Sequence, residues 1–159
     1  MQRSAAVELF WRWHPRIYRW SGGRLLGRLA GLPVLLLETT GRRSGERRET
    51  ALTYLPWTDS ADSGPDAESP QEAFVVVASV LGEPRHPAWY LNLAADRRVA
   101  VTIGRQRIAV LARDAEGAER ERIWSRLLEH SPDYAEVAQR TTRHIPVVVL
   151  ERRARTTPG

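Results

Sequence analysis

The chain has 159 residues, 42% of them hydrophobic and 27% charged, enough apolar content for one domain with a single core and too much for wholesale disorder. Cysteine is absent, which excludes disulfide scaffolds, thiolate metal sites and thiol nucleophiles. The formal net charge is +5 and all 24 basic residues are arginine, a bias that reads as genomic codon preference more readily than as a nucleic-acid surface.

Residues 1–56 carry ten arginines against four acids, 57–73 carry five acids and no base, and 74–159 carry fourteen arginines against ten acids. The N-terminal 1–32 is expected to be an amphipathic helical segment. Val7, Phe10, Trp11, His14, Ile17 and Tyr18 recur at helical spacing opposite Arg12, Arg16 and Arg19, with a break or kink at Pro15. Ser21-Gly22-Gly23 punctuates it, and a second short helical stretch over Arg24–Ala30 is expected to end at Gly31-Leu32-Pro33. The start of the chain lacks the uninterrupted apolar stretch of a signal peptide, and no apolar run approaches the roughly 18 residues of a spanning helix. A cytoplasmic protein is therefore expected, with peripheral contact at the inner membrane face through the Trp/Arg helix as an open alternative.

Strand signals dominate the next part, 33–151. Pro33–Thr39, Arg48–Leu55 and Phe74–Val80 are short and β-prone, and the acidic segment 57–73 between the last two reads as a long flexible hairpin loop. Val99–Ile103 alternates and turns at Gly104 into Arg107–Ala112. Glu116–His130 reads as a helix burying Ile123, Trp124, Leu127 and Leu128. Ser131 and Pro132 read as the N-cap and first residue of another. Ile145–Leu150 closes the series and 152–159 is a polar tail. Six mostly antiparallel strands with flanking helices predict an α+β barrel or roll.

Two stretches carry chemistry. Gly41-Arg42-Arg43-Ser44-Gly45, followed by Arg48, offers turning glycines, forked donors and a hydroxyl, which suits a phosphate without being a Walker loop. A basic surface turn is the alternative. Val77-Ala78-Ser79-Val80 leads through a Pro-bounded loop into a helix where Pro87 is expected at the first position, with Trp89 and Asn92 on one side. That pair suits a planar heterocycle with polar edges, or Trp89 is plain core. The four histidines show no metal-ligand spacing, Ser79 lies in no nucleophile elbow, and no metal is expected. Reactivity is therefore expected from a cofactor.

The blocks LLLETTGRRSGERRET, FVVVASVLGEPRHPAWYLNL and SPDYAEVAQRTTRHIPVVVL, in that order and spacing, resemble the deazaflavin-dependent nitroreductase family of actinobacteria. The resemblance implies a split β-barrel related to FMN-binding oxidoreductases. It also implies hydride transfer from reduced coenzyme F420, in preference to FMN, to a quinone, nitro compound or enone. Arg42, Arg43 and Ser44, with Arg48 nearby, would hold the coenzyme's phosphate and acidic tail. Val77, Ala78, Ser79 and Val80 would lie along its ring, and Ala88, Trp89, Tyr90, Leu91 and Asn92 would close the other side. Tyr134 would reach in from the late helix, Ser79 would donate a hydrogen bond to the acceptor oxygen, and Tyr54 and Tyr134 are the substrate-side candidates. The chain departs from the family at Val80-Leu81, where many relatives have Gly-Gly, at Thr53, where some carry tyrosine, and around Ser131 and Val137, where some carry more tyrosines. A cofactor-sequestering or membrane-surface protein without turnover is the alternative from another class. Nucleic-acid binding lacks both motifs and interleaved aromatics.

Overall fold

The computed structural model of the chain describes residues 32–58, 72–79 and 84–153, together with Pro15, Arg16, Ser21, Arg28 and Leu29. The expected N-terminal helix, the membrane contact assigned to it, most of the 57–73 loop, Val80 and the end of the tail lie outside the described residues.

Eight strands form among the described residues: β1 (Arg28–Leu29), β2 (Leu32–Thr40), β3 (Arg47–Thr53), β4 (Leu55–Trp57), β5 (Ala73–Val77), β6 (Arg98–Ile103), β7 (Gln106–Asp114) and β8 (Val147–Arg152). Every pairing is antiparallel. The order is β1-β2-β6-β7-β8-β5-β4, with β3 also on β2. All six expected strands are present. The helical expectation at Arg24–Ala30 is corrected: Arg28 and Leu29 pair with Pro33 and Leu32 as the short strand β1.

The expected strand Arg48–Leu55 divides at Tyr54. Up to Thr53 the chain pairs with β2, from Leu55 it pairs with β5, and Tyr54 donates its backbone N–H to Pro33 O (2.9 Å). One continuous segment thus joins the two ends of the sheet and closes it into a barrel. Alternation then sorts side chains to two sides. Leu35 and Leu37 of β2, Phe74 and Val76 of β5, Val101 of β6, Val110 of β7, and Val148 and Leu150 of β8 fill the barrel. Val75, Val147 and Val149 face outward beneath a helix.

Three helices complete the α+β split barrel: α1 (Ala88–Ala95), α2 (Gly117–His130) and α3 (Asp133–Gln139). Helix α1 sends Trp89 and Leu93 into the barrel cluster; burying side chains of that size stabilises the fold by about 1.5–3 kcal/mol each. Helix α2 lays Ile123 and Leu127 on the outer cluster, while Trp124 and Leu128 are only half-buried. Arg113 of β7 anchors it by a forked pair to Glu119 (2.6 and 2.7 Å) and a bond to Glu151 (2.6 Å). Pro87 is extended (φ −65°, ψ 150°) and precedes α1 as its cap instead of occupying its first turn; its carbonyl accepts from the N–H groups of Tyr90 and Leu91. No helix among the described residues is long and apolar enough to cross a membrane.

Candidate functional site

The β2–β3 connection is a tight turn held by its own backbone. Gly41 N–H donates to Glu46 O (2.7 Å) and Gly45 N–H to Gly41 O (2.8 Å), with Gly45 in the left-handed region at φ +71°. Ser44 Oγ accepts from Glu46 N–H (3.2 Å). The turn is close-packed at Gly41, where a Cβ would lie 2.5 Å from Ser44 Oγ and 3.3 Å from Glu46 O.

Charge on this turn is unevenly compensated. Arg47 pairs with Glu38 (2.6 Å) and Glu49 (3.1 Å), and Arg48 pairs with Glu46 (3.0 Å). Glu38 is shared with Arg107 of β7. Arg42 and Arg43 are exposed and have no carboxylate partner among the described residues. Instead, the backbone N–H (3.1 Å) and Nη1 (3.3 Å) of Arg42 both donate to Asn92 Oδ1 on α1. Asn92 is buried, so the helix fixes where the turn sits. The seat therefore presents two uncompensated guanidinium forks and a hydroxyl, the donor set that an anion such as a phosphodiester with an acidic tail requires.

The second wall is the end of β5. Val77 pairs with Val147, and Ala78 N–H donates to Pro146 O (3.0 Å). Beyond Val75 the opposite edge of β5 is no longer paired with β4, whose last partner there is Leu55. Arg143, which sequence reasoning did not single out, braces this wall. Its Nη2 donates to Ala78 O (3.2 Å) and Ser79 O (3.3 Å), and its Nη1 to His86 Nδ1 (2.9 Å) and His144 O (3.4 Å). Burial and the neighbouring Arg143 and His144 hold the His86 imidazole below its ordinary pKa, against a smaller raising effect of Asp114. That agrees with an unprotonated Nδ1 accepting from Arg143. The His86 ring lies 5.1 Å from that of Tyr90, whose hydroxyl donates to Asp114 Oδ2 (3.0 Å). Burial, then Asp114, raises the Tyr90 phenol.

The remaining expected residues divide. Trp89 is core, 7% exposed, so its ring serves packing. Tyr54 is likewise in the barrel cluster, edge-on to Phe74 with centroids 5.6 Å apart. Ala88 is exposed, and Tyr90 and Leu91 are half-buried along α1. Tyr134 packs on the outer cluster with Val77 and Trp124, and its hydroxyl is 3.3 Å from Thr53 Oγ1. Burial raises its phenol above the ordinary value, against the opposing bond to Thr53. Among the described residues no group of three metal-ligating side chains converges.

The antiparallel split barrel, with an arginine-rich turn and a small-residue strand end, defines the fold class. Comparison with known proteins narrows it. The F420H(2)-dependent quinone reductase family matches residues 10–152, and the chain belongs to that family. An F420H(2)-dependent quinone reductase of Mycobacterium tuberculosis (strain ATCC 25618 / H37Rv) is 38% identical over 157 residues, covering 96% of both chains. A solved F420-H2 dependent reductase is 36% identical, with a TM-score of 0.60 over 75% of this chain and 94% of that one. A second solved structure, a domain-swapped dimer, is 32% identical with a TM-score of 0.63, covering 92% of this chain and all of the other.

Proposed function

We propose that the protein is an oxidoreductase that uses reduced coenzyme F420 to reduce quinones, with nitro compounds and enones as further acceptors to be tested. The observation that carries this reading is the pair of arginines without a carboxylate partner at Arg42 and Arg43, in a turn that Arg42 ties to Asn92 of α1. The coenzyme's phosphodiester and glutamyl tail are anionic, and this donor set matches them.

When bound, the reduced coenzyme supplies the hydride. The chain's own residues bind, orient and shield. Arg42, Arg43 and Ser44 hold the anionic part, with Arg48 at the rim already engaged by Glu46. Val77, Ala78 and Ser79 offer a narrow edge of small residues along which a planar ring can lie. The Ser79 hydroxyl has no hydrogen-bond partner among the described residues and would donate to an acceptor oxygen where negative charge develops. Tyr134 stays protonated at neutral pH and offers a second donor bordering the wall. A quinone that receives a hydride needs one proton to become the hydroquinone, and solvent supplies it.

Fluorescence titration with F420 tests the seat. Replacing Arg42 and Arg43 together by alanine is expected to weaken binding at least about tenfold, since charge-assisted bonds to an anion are lost. Binding unchanged in that variant, or preferential binding of FMN by the wild type, contradicts the reading.

A further inference from the structure

We infer that Arg143 is a positioning residue that aims the Ser79 backbone N–H at the cofactor ring. The inference rests on the proposed use of a deazaflavin.

The argument is geometric. A trans peptide is planar, with its C=O and N–H pointing in opposite directions. The carbonyl of Ala78 is held by Arg143 Nη2 (3.2 Å), so the N–H of Ser79, in the same peptide plane, projects away from Arg143. Ala78 N–H is also taken, by Pro146 O on that same flank (3.0 Å). Both polar groups of Ala78 are thus turned toward the segment that leads into β8. The C=O of Val77 shares a peptide plane with Ala78 N–H, and the N–H of Ser79 shares one with Ala78 C=O, so both point away from that flank, toward the other edge of β5. Among the described residues that edge is unpaired beyond Val75, where β4 ends its pairing. The Ser79 N–H has no partner among the described residues, which leaves it available to a ligand.

A β-strand running out beyond its neighbour would ordinarily fray. Arg143 prevents this by binding two consecutive carbonyls, Ala78 and Ser79, and by resting its other nitrogen on His86 Nδ1 (2.9 Å), just before α1. One planar fork thereby joins the wall and the approach to α1. A lysine has a single ammonium and cannot span these partners together. The Ser79 N–H and the Val77 carbonyl form a donor–acceptor pair at strand spacing, which suits the imide-like edge of a planar heterocycle.

The test uses full-length Arg143→Met and Arg143→Lys beside the wild type, with three readouts: F420 affinity, the position of the visible absorption band of bound F420, and kcat with a quinone. The arginine seat is intact in both variants, so affinity is expected to stay within about threefold, while misplacement of the ring lowers kcat about tenfold or more. The band shift seen when F420 binds the wild type, which reports a hydrogen bond to the ring, is expected to vanish in Arg143→Met and to be reduced in Arg143→Lys. If circular dichroism shows Arg143→Met unfolded, the lysine variant decides on the same readouts. Wild-type band position and kcat in a folded variant overturn the inference, as does a loss of affinity that parallels the loss of kcat. A wild type that neither binds F420 nor oxidises its reduced form overturns instead the proposed function on which the inference rests.

Discussion

Asn92 offers the sharpest perturbation of the anion seat because its contribution is read through another residue. Its Oδ1 accepts from the backbone N–H of Arg42 at 3.1 Å and from Nη1 at 3.3 Å. Asn92→Ala removes the acceptor for both. The first bond is neutral and partly buried, worth about 1 kcal/mol; the second is charge-assisted, but long and on an exposed side chain, so it adds about 0–1 kcal/mol. The sum of about 1–2 kcal/mol is the cost of leaving the turn unpinned, and it appears in affinity when the cofactor must order the turn itself. F420 affinity is expected to fall about 5- to 30-fold. Titrations of wild type, Asn92→Ala, Arg42→Ala and the double variant form a cycle. Arg42→Ala keeps the backbone N–H bond and loses only the Nη1 bond, so Asn92→Ala is expected to cost less in that background than in the wild type by the share of the Nη1 bond alone. Unchanged F420 affinity in Asn92→Ala refutes the reasoning, because the turn then needs no pin from α1.

Three further expectations follow from the same geometry. Gly41→Ala places a methyl 2.5 Å from Ser44 Oγ and 3.3 Å from Glu46 O, breaking the Ser44–Glu46 bond. It is expected to cost about 0.5–1.5 kcal/mol of stability, the share of that bond, and to weaken F420 binding, checked by chemical denaturation and titration; unchanged stability and binding contradict a role for the Ser44–Glu46 bond. The fold favours neutral His86, so its contribution is intact above the ordinary imidazole value of about 6.5 and is lost as pH falls from there toward the lower folded value. Melting temperature is therefore expected to drop more between pH of about 7.5 and 5.5 in the wild type than in His86→Asn. Equal drops would show that His86 carries none of the dependence. Tyr134→Phe and Thr53→Val each remove one partner of the 3.3 Å hydroxyl contact. Their double-mutant cycle should give a coupling of about 0.5–1.5 kcal/mol, and a coupling near zero removes that bond from the account.

The barrel was legible where patterning is local. β2, β5 and β8 bury both faces and read as short apolar runs, while Val99, Val101 and Ile103 alternate as a hairpin strand should. What escaped is tertiary. Nothing between Arg48 and Leu55 marks Tyr54 as the residue where one strand changes partners; that is set by Pro33 and Val75, both distant in sequence. Arg24–Ala30 carries helix-forming leucines and arginines, yet Arg28 and Leu29 take the extended form because Leu32 and Pro33 are there to pair with them. At the site, the residue types of the Gly41–Gly45 turn suggested the anion seat proposed above, and the i, i+3 spacing put Trp89 and Asn92 on one buried side. Spacing could not say that Trp89 would be claimed by the core and Asn92 by Arg42. Arg143 stood in a block rich in family resemblance, but its partners are the carbonyls of residues 64 and 65 positions earlier, and backbone carbonyls leave no trace in sequence.

The central claim is that this chain turns over reduced F420 and does not merely hold it. The direct measurement is the oxidation of F420H2 by the full-length protein with a menaquinone analogue, followed by return of the deazaflavin absorbance. Quinone-dependent oxidation well above the protein-free rate, lost in the Arg42→Ala, Arg43→Ala double variant, is the expected result. Tight F420 binding with no quinone-dependent oxidation would contradict it and leave a cofactor-sequestering protein.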